Sequence, residues 1–265
     1  MANVFIVAAK RTPFGAFGRP RRRRQADPHR LCDCRKRRPH RRPYLARHVG
    51  LRTGLDITVP ALTVNRLCGS GFQSIINAAH EIIAGDANIV LTGGSESMSL
   101  APYALRGIRF GGTRFGVDLK LEDTLAAALV DRFPKETPMG ITAENLSQQH
   151  NISRQDCDEY ALLSQQRWAA GKFFFCSLQL AIVPVEYKVK KTVETLSHDE
   201  HARPQTTIES LAKLPSVFKK DGTVTAGNAS GISDGAGAIV VASEQAIKEH
   251  GLKPLAKVVS WHVTA

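Results

Sequence analysis

Phe72, Ile75, Ile76, Ala79, Ile82 and Ile83 recur at spacings of three and four, which is one buried face of a helix. Pro60 to Val64 before it and Ala87 to Thr92 after it are short apolar runs of strand length, and Ala2 to Ala9 is another. This β-α-β order predicts an α/β fold with a largely parallel sheet covered by helices on both faces. From Phe110 to about Leu214 the texture changes to charged, irregular sequence with short helices. One of these opens at Ser153, where Ser153 and Asp156 have the spacing of a capping box. That stretch reads as an inserted domain. Strand texture returns at Gly237 to Ala242, followed by a helix over Glu244 to His250, a stop at Gly251 and a strand over Leu255 to Val263. No internal repeat is visible.

Composition narrows the class. With 265 residues, 43% of them hydrophobic, the chain is long enough for a sizeable core and one or two domains. The formal charge of +12 suggests a nucleic-acid or membrane partner only if it is spread over the surface. Residues 19 to 43 hold eleven arginines and one lysine against Asp27 and Asp33, so ten of the twelve net charges lie in that one segment. The folded body is close to neutral, and nucleic acid is not expected as a partner. The segment has almost no aliphatic residues and cannot bury a core face. Its functional readings are an RNA-binding arm, a localisation signal, or a metal site built from Cys32, Cys34, His29 and His40. A C-x-C pair lacks ordinary zinc spacing, so no metal is expected. Five cysteines without regular spacing fit a reducing compartment better than a disulfide scaffold. The longest apolar run, Phe173 to Val185, is interrupted and too short for a membrane span. Residues 1 to 26 lack Asp and Glu and are rich in Arg, as mitochondrial targeting segments are, although most of that Arg lies in the basic segment.

The candidate chemistry centres on Cys68, in the run Asn65-Arg66-Leu67-Cys68-Gly69-Ser70-Gly71 between the apolar stretch at Val64 and the helix face that begins at Phe72. This places Cys68 at or just before a helix N-terminus. First-turn N–H groups and the positive end of the helix dipole favour a thiolate there, the reactive form of cysteine. Gly69 and Gly71 allow a sharp turn and close approach of a substrate. The competing reading is a buried structural cysteine beside a flexible turn, since cysteine is among the most buried residue types. On the residues alone the two readings stand level.

Six segments carry a resemblance to a known family, in that family's order. They are Val7 to Gly15, Asn65 to Gly71, Gly93 to Ser99, Met139 to Asn145, His201 to Thr207 and Asp221 to Gly235. On these the chain resembles the thiolases, and within them the 3-ketoacyl-CoA thiolases, over most of residues 1 to 18 and 44 to 265, with a poorer patch at 171 to 183. The resemblance implies the N-terminal half of a layered α-β-α-β-α fold. An N-terminal α/β domain would cover 1 to 109, an inserted loop domain 110 to 214, and a return to the first domain 215 to 265, with the second half of the family fold absent. The resemblance stops and resumes abruptly around 19 to 43, where the family has a helix and a core strand. A reading-frame or gene-model error is therefore the preferred reading of that segment.

What the resemblance implies about function is specific. The family cleaves 3-ketoacyl-CoA with CoA through an acyl-cysteine intermediate, in fatty-acid β-oxidation, and Cys68 matches its nucleophile. Arg203 and Thr206 match contacts to the nucleotide end of CoA, Ser230 a bond to the pantetheine arm, and Met139 a wall of the acyl pocket. Without the resemblance these are an exposed Arg, a turn Thr, a turn Ser and a core Met. Coenzyme A is thus implied as a co-substrate, with no permanently bound cofactor. Acyl-CoA and CoA are the small-molecule partners, a homo-oligomer is the expected assembly, and the mitochondrial matrix the expected compartment. Glu96 is expected to be structural, His201 a structural or surface histidine, and Cys157 and Cys176 packing residues. The family also uses a Gly-His-Pro histidine, an Asn-Glu-Ala-Phe motif and a second cysteine, none of which occurs before Ala265. Nucleophile and base act as a unit, so the chain as written is expected to be incomplete and catalytically incompetent. An acetoacetyl-CoA thiolase is the nearest enzyme alternative. A non-catalytic thiolase-like protein or an Arg-rich binding protein is the alternative of another class.

Overall fold

The computed structural model describes residues 3–17, 44–174, 181–189 and 192–264. The basic segment at 19–43, with its Cys32, Cys34, His29 and His40, lies outside the described residues, as does Cys176. The first half of the chain forms β1 (Val4–Arg11), β2 (Gly15–Ala16), α1 (Leu45–Arg52), α2 (Ser70–Ala84), β3 (Ile89–Ser97), β4 (Tyr103–Leu105), α3 (Ile108–Gly111), β5 (Leu121–Asp123), α4 (Thr124–Ala128), β6 (Val130–Asp131) and β7 (Thr137–Pro138). Then follow α5 (Met139–Gln149), α6 (Arg154–Phe174), β8 (Val185–Val189), β9 (Thr192–Leu196), α7 (Ile208–Ala212), β10 (Ser233–Ser243), α8 (Glu244–His250) and β11 (Ala256–Lys257). The chain divides into two compact units, one of Met1–Ser97, Leu180–Asp199 and Ser233–Ala265, the other of Met98–Gln179 and Glu200–Ile232.

The first unit is built on a five-stranded sheet in which β10 lies between β1 and β3, with β11 beside β1 and β2 at the start of β10. β10 runs antiparallel to both neighbours, from Val4 opposite Ser243 to Arg11 opposite Gly237 on one side, and from Ile89 opposite Ala242 to Ser97 opposite Asp234 on the other. The sequence pattern predicted a largely parallel sheet, and that is corrected here. β1 and β3 do point the same way, but β10 arrives from more than a hundred residues downstream and separates them. Pro60 to Val64, expected as a strand, is irregular chain, and the strand expected over Leu255 to Val263 is reduced to Ala256–Lys257.

Close approach of β3 to β10 depends on small residues. Gly93 has φ +155°, and a Cβ there would run into the carbonyl of Gly237. The core cluster is Val4, Ala78, Ala79, Ile82 and Val241, with Ile75, Val90, Ile239 and Val258 packed against it. It joins α2 to the sheet, and full burial of a side chain such as Ile82 or Val241 contributes roughly 1.5–3 kcal/mol. α2 covers the predicted helix and adds its first turn, but Phe72 is 75% exposed, so the buried face starts only at Ile75. α8 matches its prediction: the Ser243 hydroxyl accepts from Ala246 N at 3.0 Å, and Gly251 ends the helix at φ +59°.

The second unit consists of the hairpins β4–β5 and β6–β7 and the helices α3 to α7. The Ser153 cap is present, with Ser153 N and Oγ donating to Asp156 Oδ2 at 2.8 and 2.6 Å and Asp156 N donating back to Ser153 Oγ at 3.1 Å. α5 buries Glu144 and Ser147 rather than aliphatic residues, so this unit has a polar interior.

Candidate active site

Cys68 is exposed, two residues ahead of the first residue of α2. The turn that carries it is closed by hydrogen bonds within a few residues of sequence. Asn65 Oδ1 accepts from Leu67 N at 2.9 Å, Gly69 N donates to Arg66 O at 3.0 Å, and Ser70 N donates to Leu67 O at 3.1 Å. The Ser70 hydroxyl ties the turn twice, accepting from Arg66 N at 2.9 Å and donating to Leu67 O at 2.7 Å. Leu67 takes φ +48°, a conformation that costs a non-glycine residue roughly 1–2 kcal/mol. That bend brings the thiol out of the turn at the N-terminal end of a 15-residue helix, where N–H groups point outward. Leu67 and Phe72, one residue before and four after Cys68, are each 75% exposed. Exposure of Cys68 among the described residues speaks for the nucleophile reading over the buried structural one. The exposed Phe72 is the position that departs from the predicted buried helix face.

Gly93 to Ser97 lie inside β3 rather than after a strand, and Glu96 pairs with Gly235 in the ladder. Its backbone role is structural, consistent with the expectation for that residue. In the same unit the Arg11 guanidinium makes two bonds to the Asp199 carboxylate, at 2.7 and 3.0 Å, and stands 4.9 Å over the Phe14 ring. Phe14 N also donates to Asp199 Oδ1 at 2.9 Å, which fixes the Arg11–Phe14 segment against the chain leaving β9.

Arg203, Thr206, Ser230 and Met139 all belong to the second unit. Arg203 and Thr206 are held together in one turn: Thr206 N and Oγ1 donate to Arg203 O at 3.0 and 2.7 Å, and Arg203 N donates to Gln165 Oε1 at 2.8 Å. The Arg203 side chain is exposed. Met139 opens α5, 46% exposed, its N–H donating to Leu129 O at 2.9 Å. It is a surface side chain in this unit and not plain core.

Ser230 is exposed at the end of a loop whose preceding residues are deeply anchored. The Asn228 amide donates to Asp158 Oδ1 and to Thr223 O, both at 2.9 Å, and accepts from Thr225 N at 2.8 Å. Asp158 is 2% exposed and also accepts from Arg154 Nε at 2.8 Å, while the same guanidinium donates to Leu211 O and Leu214 O at 2.7 and 2.9 Å. Glu144, 3% exposed, accepts from Thr223 N at 2.9 Å, Thr223 Oγ1 at 3.1 Å and Val224 N at 2.9 Å. Burial alone raises the Glu144 carboxyl pKa, but these donated bonds and the charge of Lys219 bring it below the usual value. Gly222 leaves no room for a Cβ beside the Glu144 carboxylate. On the far side of Ser230, a Cβ on Gly231 would lie 2.5 Å from His201 Cε1 and Nδ1, so that edge of the imidazole packs against the glycine. His201 is thus a packing residue of this loop.

Glu144, Asp158 and Asn228 were not singled out from the sequence. The visible signal for Glu144 is the poor apolar periodicity of α5, whose inward positions carry Glu and Ser. Cys157 is partly buried in α6, where burial foremost, and then the neighbouring Asp158, Asp156 and Glu144, push its thiol pKa up against a hydrogen bond with Thr223. It fits the packing role expected for it. Among the described residues no group of His, Cys, Asp or Glu is placed to hold a metal ion, and no helix is long and apolar enough to cross a membrane.

The chain has counterparts among known proteins over most of its length. Residues 40–245 match the family model described as thiolase, N-terminal domain. The mitochondrial 3-ketoacyl-CoA thiolase of Mus musculus is 54% identical, with all of this chain and 71% of that protein covered. The crystal structure of human mitochondrial 3-ketoacyl-CoA thiolase superposes with a TM-score of 0.84 at 49% identity, covering 97% of this chain and 69% of that one. The same human enzyme in complex with CoA gives a TM-score of 0.82 at 48% identity. The layered α/β fold of those structures is therefore shared over the part that they cover, and the chain belongs to the thiolase family.

Proposed function

We propose that this chain is the Cys68-bearing part of a 3-ketoacyl-CoA thiolase of fatty-acid β-oxidation, an enzyme that acts on 3-ketoacyl-CoA and CoA in the mitochondrial matrix as a homo-oligomer, and that this part by itself does not complete the carbon–carbon cleavage. The observation that carries the reading is the mounting of Cys68, exposed on a turn that a left-handed Leu67 and the Ser70 hydroxyl hold ahead of α2. In the overall reaction the Cys68 sulfur attacks the 3-keto carbon, the bond between that carbon and C2 breaks, and the electron pair leaves with acetyl-CoA, which takes up a proton. The acyl group, now a thioester on Cys68, is transferred to the thiol of a second CoA, which regenerates the cysteine. This divides a carbon–carbon cleavage into two easier steps. Arg203 and Thr206 supply a cation and a hydroxyl for the phosphorylated nucleotide end of CoA, Ser230 a hydrogen bond to the pantetheine amides, and Met139 an apolar contact for the acyl chain. CoA enters as co-substrate.

Relatives named 3-ketoacyl-CoA thiolase at about half identity favour this reading over an acetoacetyl-CoA thiolase or an Arg-rich binding protein. The base and oxyanion donors for carbon–carbon cleavage are assigned to none of the described residues. Thioester exchange on Cys68 breaks no carbon–carbon bond: the Cys68 sulfur attacks the thioester carbon, the acyl–sulfur bond to CoA breaks, and CoA leaves as its thiol with the proton that Cys68 gives up, so it is the step to test. Incubation of the full chain with a saturated acyl-CoA should add one acyl group by intact mass, and Cys68→Ala should abolish the adduct. No adduct on the parent chain, or an adduct that survives Cys68→Ala, would overturn the proposal.

A further inference from the structure

We infer that Asp158 and Asn228 are positioning residues for CoA, acting through the Ser230 loop, an inference that rests on the reading of Ser230 as a pantetheine contact. Ser230 is exposed and has no rigid element of its own. Two residues earlier, the Asn228 amide uses both donor and acceptor: it closes the loop on itself through Thr223 O and Thr225 N, and ties it to α6 through Asp158 Oδ1. Thr225 is fully buried and accepts from Gly227 N through its hydroxyl at 3.2 Å, while Ala229 N donates to Thr225 O at 3.1 Å. The anchored stretch thus ends one residue before Ser230. One residue after it, the His201 ring against Gly231 blocks the other side. A serine held between two fixed points keeps its hydroxyl at one place and loses little freedom on binding.

Asp158 is suited to this task because its other oxygen is held by Arg154, which in turn fastens Leu211 O and Leu214 O. Those carbonyls lie in and after α7, so the carboxylate joins the Ser230 loop to α6 and α7 at once. Its charge is countered in place by the guanidinium, 2.8 Å away and largely buried with it. A side chain that only filled space would need neither the charge nor the second oxygen.

The test compares two ligands that share the nucleotide end. CoA reaches both the Arg203–Thr206 turn and the Ser230 loop; adenosine 3′,5′-bisphosphate, lacking the pantetheine arm, reaches only the first. In titration calorimetry Asp158→Asn should raise the Kd for CoA about tenfold, the value of one well-formed hydrogen bond, and leave that for the bisphosphate unchanged. Should Asp158→Asn fail to fold, Asn228→Ser gives the same comparison with the buried ion pair intact. Equal weakening of both ligands, or no change for CoA, would overturn the inference while leaving the proposed function standing. A parent chain that binds neither ligand would instead refute the CoA reading itself, and the inference with it.

Discussion

The two loops that carry the candidate chemistry are held by opposite means. The Cys68 turn is exposed and closed by bonds between residues at most four apart, with a left-handed Leu67 at its bend. The loop ending at Ser230 hangs from buried carboxylates 70 and 79 residues away in sequence, Asp158 and Glu144. A nucleophile needs access, so its support has to come from the local backbone and the helix behind it. A binding hydroxyl at the end of a loop needs fixity, and a buried charged anchor provides that without occupying the surface. The difference explains why one site was visible from a seven-residue motif and the other's support was not.

Thiol reactivity contrasts the exposed Cys68 turn with α6, which carries Cys157 beside the anchor Asp158. Iodoacetamide should label Cys68 at least about tenfold faster than Cys157, whose thiol is raised in pKa mainly by burial. Peptide mapping over time reads both rates, and equal rates would erase the contrast. The loss of the Glu144 anchor is the larger effect in free energy. Glu144→Ala leaves two backbone N–H groups without their acceptor, while the Thr223 hydroxyl keeps Ser147 Oγ at 3.0 Å, and should destabilise the second unit by about 3 kcal/mol in urea unfolding. Glu144→Gln should cost less, because it keeps one acceptor oxygen.

The same carboxyl makes the anchor sensitive to acid. Its folded pKa lies below its unfolded one, so its contribution is fully present above the unfolded value and is lost as pH falls through the folded value. The unfolding midpoint of the parent chain should therefore drop across that window more steeply than that of Glu144→Gln; parallel curves would contradict the assignment. On the other loop, Ser70→Ala removes a hydroxyl that both donates and accepts at an exposed turn, for a cost of about 1 kcal/mol. Leu67→Gly is the smallest case. It relieves the left-handed strain but frees the unfolded chain, and the two effects should leave stability within about 0.5 kcal/mol of the parent.

Much of the local structure was legible in the sequence. Isoleucines at helical spacing gave α2, Ser153 with Asp156 gave the start of α6, and Gly251 gave the end of α8, because each signal lies within one or two turns of its effect. The strand order was not legible. β10 pairs with β1 across more than two hundred residues, and nothing in either strand's own alternation says that it enters between β1 and β3. The run at Pro60 to Val64 has strand composition but finds no partner strand among the described residues. Phe72 has the right spacing for the core, yet it stands at the open end of α2, where the sheet no longer covers it. Glu144 and Asp158 escaped notice for a related reason: apolar periodicity detects aliphatic cores, and this unit's interior is organised by carboxylates and amides.

The central claim is that one cysteine of this chain carries an acyl group and that CoA takes it away. The direct measurement is to isolate the chain after acylation, add CoA, and follow both protein mass and CoA species over time. The adduct is expected to map to Cys68, CoA to return the protein to its original mass, and the acyl group to appear on CoA in equal amount. An adduct on another residue, or one on Cys68 that persists in the presence of CoA, would contradict it.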